Sequence, residues 1–213
     1  MAQRTIHYLF GEIFSKQVNF KDRNRFLLGS VMPDAYENAS DREITHYKVK
    51  TENRAYFDFC RFREQYRDLI FNDDLYLGYY MHLVEDDFYR QFIYNKGYKM
   101  PRTHEEVVLL HNDYHILNSY IVNKYNIQNV LKKGIDLAQE SIGKIAAFRI
   151  NEFIEEMSYD FTEQTTGETY FLTERMVDEF IDKYTPIGLE ELKHIQSGSF
   201  TLQALDYAWS RNP

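Results

Sequence analysis

Along most of this chain, apolar residues recur every three or four positions, which is the spacing of an amphipathic helix. Residues 5–16 show it first, with Ile6, Leu9, Phe10 and Ile13 on one face. The other segments with this spacing are 22–31, 51–71, 75–96, 103–124, 134–157, 173–184 and 189–195. Glycine and proline, with 9 and 4 residues, seldom interrupt them. The pattern predicts an all-α fold, a multi-helix array.

Proline and polar segments set several predicted boundaries. Met32-Pro33 ends the second helix, because the residue before a proline disfavours the helical conformation. Residues 36–44 are polar and are predicted to form a loop. Pro186 is predicted to break the last helical segment into two, because its ring and missing N–H disrupt a helix interior.

Two local features concern the helices that carry histidines. Thr103 followed by Glu106 is a capping-box pattern and predicts the start of the helix over 103–124. Gly78 lies one helical turn before His82. Because glycine has no side chain, we expect another segment to approach the backbone closely at this point.

Composition places the chain among globular proteins. Its 213 residues fit one domain, 1–213, large enough to bury a core. Hydrophobic residues make up 44%, which excludes a disordered chain. No internal repeat, low-complexity stretch or linker divides the sequence.

Charge and cysteine usage limit the partners and the compartment. The formal net charge of -8 argues against tight nucleic-acid binding, which needs a basic surface. No apolar run is long enough for a transmembrane segment, and the first residues do not resemble a signal peptide. The single cysteine, Cys60, excludes an internal disulfide. We therefore expect a cytoplasmic protein.

Histidines and acids in the first half of the chain suggest a metal site. His82 and Asp86 are four residues apart and share one face of a helix, and His111 and His115 repeat this spacing. The neighbours of His82 are apolar, so burial of an unpaired His82 and Asp86 would be costly. Imidazole and carboxylate together suit zinc or another divalent first-row metal.

The candidate ligands all lie within residues 1–120 and come from several predicted segments. They are His7, Asp34, His46, His82, Asp86, His111 and His115. Asp113 lies about 200° around the helix from His111 and is a second choice. His104 is predicted to be a surface residue at a helix start. His194, near a predicted helix C-terminus, is left out.

The order of these motifs resembles that of zinc-dependent phospholipase C and the related S1/P1-type nucleases. The likeness is carried by GSVMPDAY, THY, GYYMHLVEDD and HNDYH, and covers about residues 5–120. It is closer still to small bacterial hydrolases described as phospholipase C-like. The resemblance implies an all-α fold with a metal site between helices, and hydrolysis of phosphoester bonds.

The resemblance also implies roles for the candidates. His46, His82 and Asp86 would hold the first metal, with Asp86 bridging to another metal at His7. His111 and His115 would stand at a further metal position, and Asp34 would be a ligand or the catalytic base. The sequence departs from the family pattern: its only tryptophan is Trp209, whereas the family uses an N-terminal one as a ligand. We therefore expect one or two zinc ions.

Three functions are compatible with these residues. The first is a metal-dependent phosphoesterase, in which activated water attacks a phosphate ester of a small molecule or a lipid head group. A His-Asp phosphohydrolase is disfavoured, because the chain contains no adjacent His-Asp pair. The third is a non-enzymatic helical binding or regulatory protein with a structural or vestigial metal site. A structural site is closed by protein ligands, whereas a catalytic site keeps an open position.

Overall fold

The computed structural model describes residues 2–210 and is mostly helical. Its helices are α1 (Arg4–Ser15), α2 (Arg23–Val31), α3 (Arg42–Thr45), α4 (Phe59–Gln65), α5 (Arg67–Asn72), α6 (Asp74–Asn95), α7 (His104–Tyr125), α8 (Ile150–Thr162) and α9 (Glu174–Gln196). Its strands are β1 (Lys48–Lys50), β2 (Arg54–Phe57) and β3 (Trp209–Ser210), paired antiparallel in the order β1-β2-β3. The helical prediction is confirmed for most of the chain, but the small sheet was not predicted. In the described range, no helix has both the length and the apolar character needed to cross a bilayer.

Helix α6 runs through the centre of the core and is buried on nearly every side. Asp73 caps it by accepting a hydrogen bond from the backbone N–H of Leu75. α6 crosses α2 where two glycines meet: a Cβ on Gly78 would lie 2.2 Å from the carbonyl oxygen of Phe26, and one on Gly29 would lie 2.1 Å from that of Leu75. The close approach expected at Gly78 is confirmed.

The predicted helix over 51–71 is wrong in its first part. A β-hairpin replaces it there: β1 and β2 pair, and the backbone N–H of Thr51 donates to the carbonyl of Arg54 across the turn. β2 alternates between exposed and buried positions, which is a period of two rather than 3.6. Helix α4 begins only after Asp58, whose carboxylate accepts from the N–H of Arg61.

The helical spacing over 134–157 is also misleading in its first part, because α8 begins at Ile150. The segment before it is largely irregular and its end pairs with the loop after α2. The N–H of Arg149 donates to the carbonyl of Ala35, and the N–H of Glu37 donates to that of Ala147. These bonds satisfy backbone groups that a helix would otherwise satisfy internally.

Pro186 does not break the last helix, contrary to the prediction. It lies inside the continuous α9, although an internal proline typically costs about 3 kcal/mol. The buried face of α9 offsets that cost: Tyr184 and Leu192 are 1% and 0% exposed. Gly188 fits so closely against the ring of Phe14 that a Cβ would lie 2.6 Å from it.

The predicted loop over 36–44 contains a short 3₁₀ turn, Ala39–Asp41, and the start of the one-turn helix α3. The segment after α9 contains a 3₁₀ turn, Ala204–Tyr207, and β3. α3 ends directly before His46 and therefore determines where that side chain lies.

Candidate metal centre

Five of the seven predicted ligands meet in the core. They are His7 on α1, Asp34 in the turn after α2, His46 after α3, and His82 and Asp86 on α6. Their ligand atoms form two overlapping groups, His7–Asp34–His82 and His46–His82–Asp86, and within each group these atoms lie within 4.8 Å of one another. His82 and Asp86 therefore lie in one group of candidate ligand atoms, as their i, i+4 spacing predicted.

The donor atoms are spaced as ligands of one ion would be. The Nε2 atoms of His46 and His82 are 3.2 Å apart, and Nε2 of His46 is 3.3 Å from Oδ1 of Asp34. Oδ2 of Asp86 lies 3.6 Å from His46 and 3.8 Å from His82, while its Oδ1 lies 3.4 Å from Nε2 of His7. Donors placed tetrahedrally at zinc-ligand distances are separated by about 3.3 Å.

A second hydrogen bond fixes the orientation of each histidine in the cluster. Nδ1 of His46 lies 2.8 Å from the carbonyl oxygen of Arg42, and Nδ1 of His82 lies 2.8 Å from that of Ser30. Since a carbonyl oxygen only accepts, the proton is on Nδ1 in both rings and the Nε2 lone pairs face each other. Two facing lone pairs repel, and a proton or a metal ion between them would relieve that repulsion. Protein-bound metals typically have such second partners on their histidine ligands.

His7 is held in the same manner by an acid. Its Nδ1 lies 2.8 Å from Oε2 of Glu85, and its ring stacks on that of His82 with centroids 3.8 Å apart. Both Glu85 and His7 are buried, with 1% and 0% exposure. A carboxylate behind a histidine raises the basicity of the ring and is common at zinc sites.

Buried polar atoms without partners point to the same cation. Within the described residues, eight buried side-chain polar atoms make no hydrogen bond, and three of them are Nε2 of His7, Oδ1 of Asp34 and Oδ2 of Asp86. An unsatisfied buried polar atom typically costs about 1–3 kcal/mol, and more when it is charged. All three atoms belong to the cluster, and a divalent ion would satisfy them together. The residues present therefore fit a metal ion.

The charges of the metal-free cluster are strongly coupled. Burial lowers the pKa of His7, but the neighbouring carboxylates of Asp86 and Glu85 outweigh it and raise that pKa to about 10. Burial and the charge of His7 lower the pKa of His82 to about 3. Burial raises the pKa of Asp34, yet the close approach of His46 and the neighbouring rings of His82 and His7 bring it to about 2. A metal ion entering this site must therefore displace a proton from His7.

The turns around the cluster explain how His46 and Asp34 reach it. Asp34 ends the 3₁₀ turn Met32–Asp34, which continues α2 toward the cluster instead of stopping at Pro33. The hydroxyl of Tyr79 on α6 donates to the carbonyl of Thr45 at 2.6 Å and holds the end of α3. Tyr47 then adopts a left-handed backbone conformation, with φ of 51°, and turns the chain into β1.

His111 and His115 do not join the cluster. Both are exposed on α7, and they line a cavity of about 350 Å³ together with Asp34, Tyr36 and other residues. Asp34 is the one cluster side chain with measurable exposure, 11%, whereas those of the other four are at 0%. This cavity therefore leads from the solvent to the cluster at Asp34.

Asp113, the second choice as a ligand, and His104, predicted to lie on the surface, are both outside the cluster. Asp113 is buried and accepts hydrogen bonds from three consecutive backbone N–H groups, those of Tyr170, Phe171 and Leu172, at 2.6–3.0 Å. It anchors the segment before α9 to α7. His104 is the exposed first residue of α7.

Sequence reasoning missed Glu85 and the two backbone carbonyls behind His46 and His82. A signal for Glu85 is present, because Glu85, Asp86 and Asp87 are three consecutive acids on an otherwise apolar helix. Asp87 turns away from the cluster and accepts from the N–H of Phe57 at 2.8 Å, linking α6 to β2. The position of a backbone carbonyl behind a histidine cannot be inferred from a sequence pattern.

Comparison with models of protein families found no match to this chain, and neither did comparison with curated proteins or with solved structures.

Proposed function

We propose that this protein is a metal-dependent phosphoesterase that hydrolyses a phosphate ester of a small molecule or a lipid head group. One observation carries the proposal: five inward-facing, partly unsatisfied donors lie in the core, and one of them also faces an open cavity. The motif order shared with zinc-dependent phospholipase C and S1/P1-type nucleases supports the same reaction class. The single cysteine supports a cytoplasmic setting.

The donor set favours zinc, although another divalent metal also suits imidazole and carboxylate ligands. Both groups of donors use His82, and a neutral imidazole Nε2 has one lone pair. One ion is therefore the simplest occupancy. Asp86 is the residue able to bridge to a second ion, because one of its oxygens faces His7 and the other faces His46 and His82.

A divalent ion held by these residues would supply Lewis-acid chemistry and activate water, as phosphate-ester hydrolysis requires. Asp34 lies between the other donors and the cavity, so it faces both the ion and an entering substrate. The neighbouring histidines hold its pKa at about 2. Such a carboxylate is a weak proton acceptor at neutral pH, which favours a ligand role for Asp34 over a base role.

The test uses p-nitrophenyl phosphate and bis(p-nitrophenyl) phosphate with zinc-, manganese- and magnesium-loaded protein. Wild type is expected to hydrolyse one of them, and His82→Ala and Asp86→Asn to lose metal and activity together. Asp87→Asn is the matched control, since Asp87 is equally buried and adjacent but not a ligand. Hydrolysis that survives in Asp86→Asn would contradict the proposal.

A second candidate is a non-enzymatic protein with a structural ion. It is favoured by the number of donors, because five protein ligands are enough to close the coordination of one ion. Stoichiometric metal that stabilises the fold, without hydrolysis of either phosphate ester, would select this candidate.

A further inference from the structure

His111 and His115 are left without a role by the metal centre, yet their spacing resembles that of His82 and Asp86. We propose that these two histidines bind the phosphate group of the substrate, a phosphomonoester, in the cavity that ends at Asp34. The inference rests on the proposed phosphoesterase function and assigns to it a substrate class and two recognition residues.

Both side chains line the same cavity, because residues four apart on α7 share a face. Within residues 2–210, neither imidazole has a hydrogen-bond or ion-pair partner, although the ring of His111 stacks on Tyr114 with centroids 6.0 Å apart. Imidazole N–H groups are good donors to phosphate oxygens, and stronger ones when the ring is charged.

The other cationic residues of the cavity are already engaged. Arg4 pairs with Asp160, and Arg149 pairs with Glu156. Each guanidinium is therefore neutralised by an acid of α8. His111 and His115 are the lining groups that can turn their N–H donors to an incoming anion without breaking an internal pair.

His111 and His115 differ from the proposed metal ligands in burial and in hydrogen bonding. His7, His46 and His82 are fully buried, and each has an acceptor behind Nδ1. His111 and His115 are exposed and, among residues 2–210, have no such acceptor behind Nδ1. This is the difference expected between a preorganised ligand and a group that adapts to a substrate.

The dimensions of the cavity favour a small substrate with a terminal phosphate. Its volume of about 350 Å³ is at the lower end of small-molecule sites and holds a phosphate with one ring-sized group. Tyr36, Tyr114 and Phe153 supply aromatic surface for that group. Because Asp34 lines the same cavity, a phosphate held by the histidines would share that cavity with a side chain of the cluster.

Binding of inorganic phosphate to zinc-loaded protein, measured by calorimetry, tests the inference without requiring catalysis. We expect the dissociation constant to rise roughly tenfold or more in His111→Gln/His115→Gln, because charge-assisted hydrogen bonds are lost. His104→Gln is the matched control, an exposed histidine on the same helix outside the cavity lining. Its affinity is expected to equal that of the wild type.

Three results would overturn the inference: no phosphate binding by the wild type, unchanged affinity in the double variant, or a loss of zinc in the double variant. Loss of zinc would mean that the two histidines are metal ligands.

A parallel assay with p-nitrophenyl phosphate should show a raised KM and a nearly unchanged kcat for His111→Gln/His115→Gln. If phosphate binding weakens as expected but the wild type hydrolyses no phosphate ester, the proposed function fails and only phosphate binding by the two histidines stands. If hydrolysis occurs and phosphate affinity is unchanged, the inference fails alone.

Discussion

The pairs His82–Asp86 on α6 and His111–His115 on α7 have the same spacing but opposite surroundings. The first pair is fully buried, faces two further histidines and has an acceptor behind its imidazole. The second is exposed and has no partner within residues 2–210. Spacing places two side chains on one helix face, whereas burial and a second hydrogen bond make them a ligand set. On this difference rest the two proposals, that α6 supplies metal ligands and that α7 contacts the substrate.

The largest effect is expected from disrupting the packing that supports the buried pair. Gly78→Ala would place a Cβ 2.2 Å from the carbonyl oxygen of Phe26, and α2 would have to move. We expect a loss of about 4 kcal/mol or more in the free energy of unfolding, measured in urea. Gly97→Ala is the control: nothing lies within 4 Å of its Cβ, and its positive φ should cost about 1 kcal/mol. Equal losses in the two variants would contradict the close crossing of α2 and α6.

The next effect concerns the acid behind His7. Glu85→Gln retains the shape of the side chain but removes the negative charge that accepts from Nδ1. We expect zinc affinity to fall about 10- to 100-fold, as is typical for the second partner of a histidine ligand. Competition with a chromophoric chelator measures this affinity. An unchanged affinity would mean that His7 does not bind the ion.

In the metal-free protein, the burial of His82 should make the free energy of unfolding depend on pH. The folded-state pKa of His82 is about 3, below its ordinary value of 6.5, so the folded state keeps the ring neutral while the unfolded chain takes up a proton. The stability that His82 contributes is thus present above pH 6.5 and is lost as the pH falls toward 3. Between these values, wild type should lose more unfolding free energy than His82→Gln in chelator-treated urea titrations. His111→Gln should follow the wild type, and parallel curves for wild type and His82→Gln would contradict the burial of His82.

The smallest effect is expected at the exposed pair. His111→Gln/His115→Gln should change the unfolding free energy by no more than about 0.5 kcal/mol, as is usual for surface substitutions. Its zinc content should equal that of the wild type. A loss of unfolding free energy as large as that caused by substituting a buried residue would mean that the two histidines lie in the core. The contrast between the exposed pair on α7 and the buried pair on α6 would then be lost.

The sequence predicted those features that depend on local periodicity or on residue type. Thr103 caps α7 as its capping-box pattern indicates, and Gly78 lies at a close helix crossing. The convergence of His7, Asp34 and His46 on α6 was suggested by their chemistry and by the resemblance. The distances between them depend on tertiary packing and could not be read from spacing.

The missed features depend on contacts between distant segments. Residues 134–149 have helical periodicity but pair with the loop after Asp34, and Pro186 stays in α9 because that helix is buried on the core. His111 and His115 matched the ligand spacing of His82 and Asp86, and nothing local distinguishes a helix face in the core from one at a cavity. That distinction comes from the position of α7 relative to Asp34.

The most direct test of the metal centre is elemental analysis of the untagged protein, purified without chelator, in three forms: wild type, Asp86→Asn and Asp87→Asn. Asp86 and Asp87 are adjacent and equally buried, but only Asp86 faces the histidines, while Asp87 binds the N–H of Phe57. The account predicts about one zinc or similar ion per chain in wild type and in Asp87→Asn, and a large loss in Asp86→Asn. A wild type that holds no metal and cannot be loaded, or equal metal content in Asp86→Asn, would contradict it.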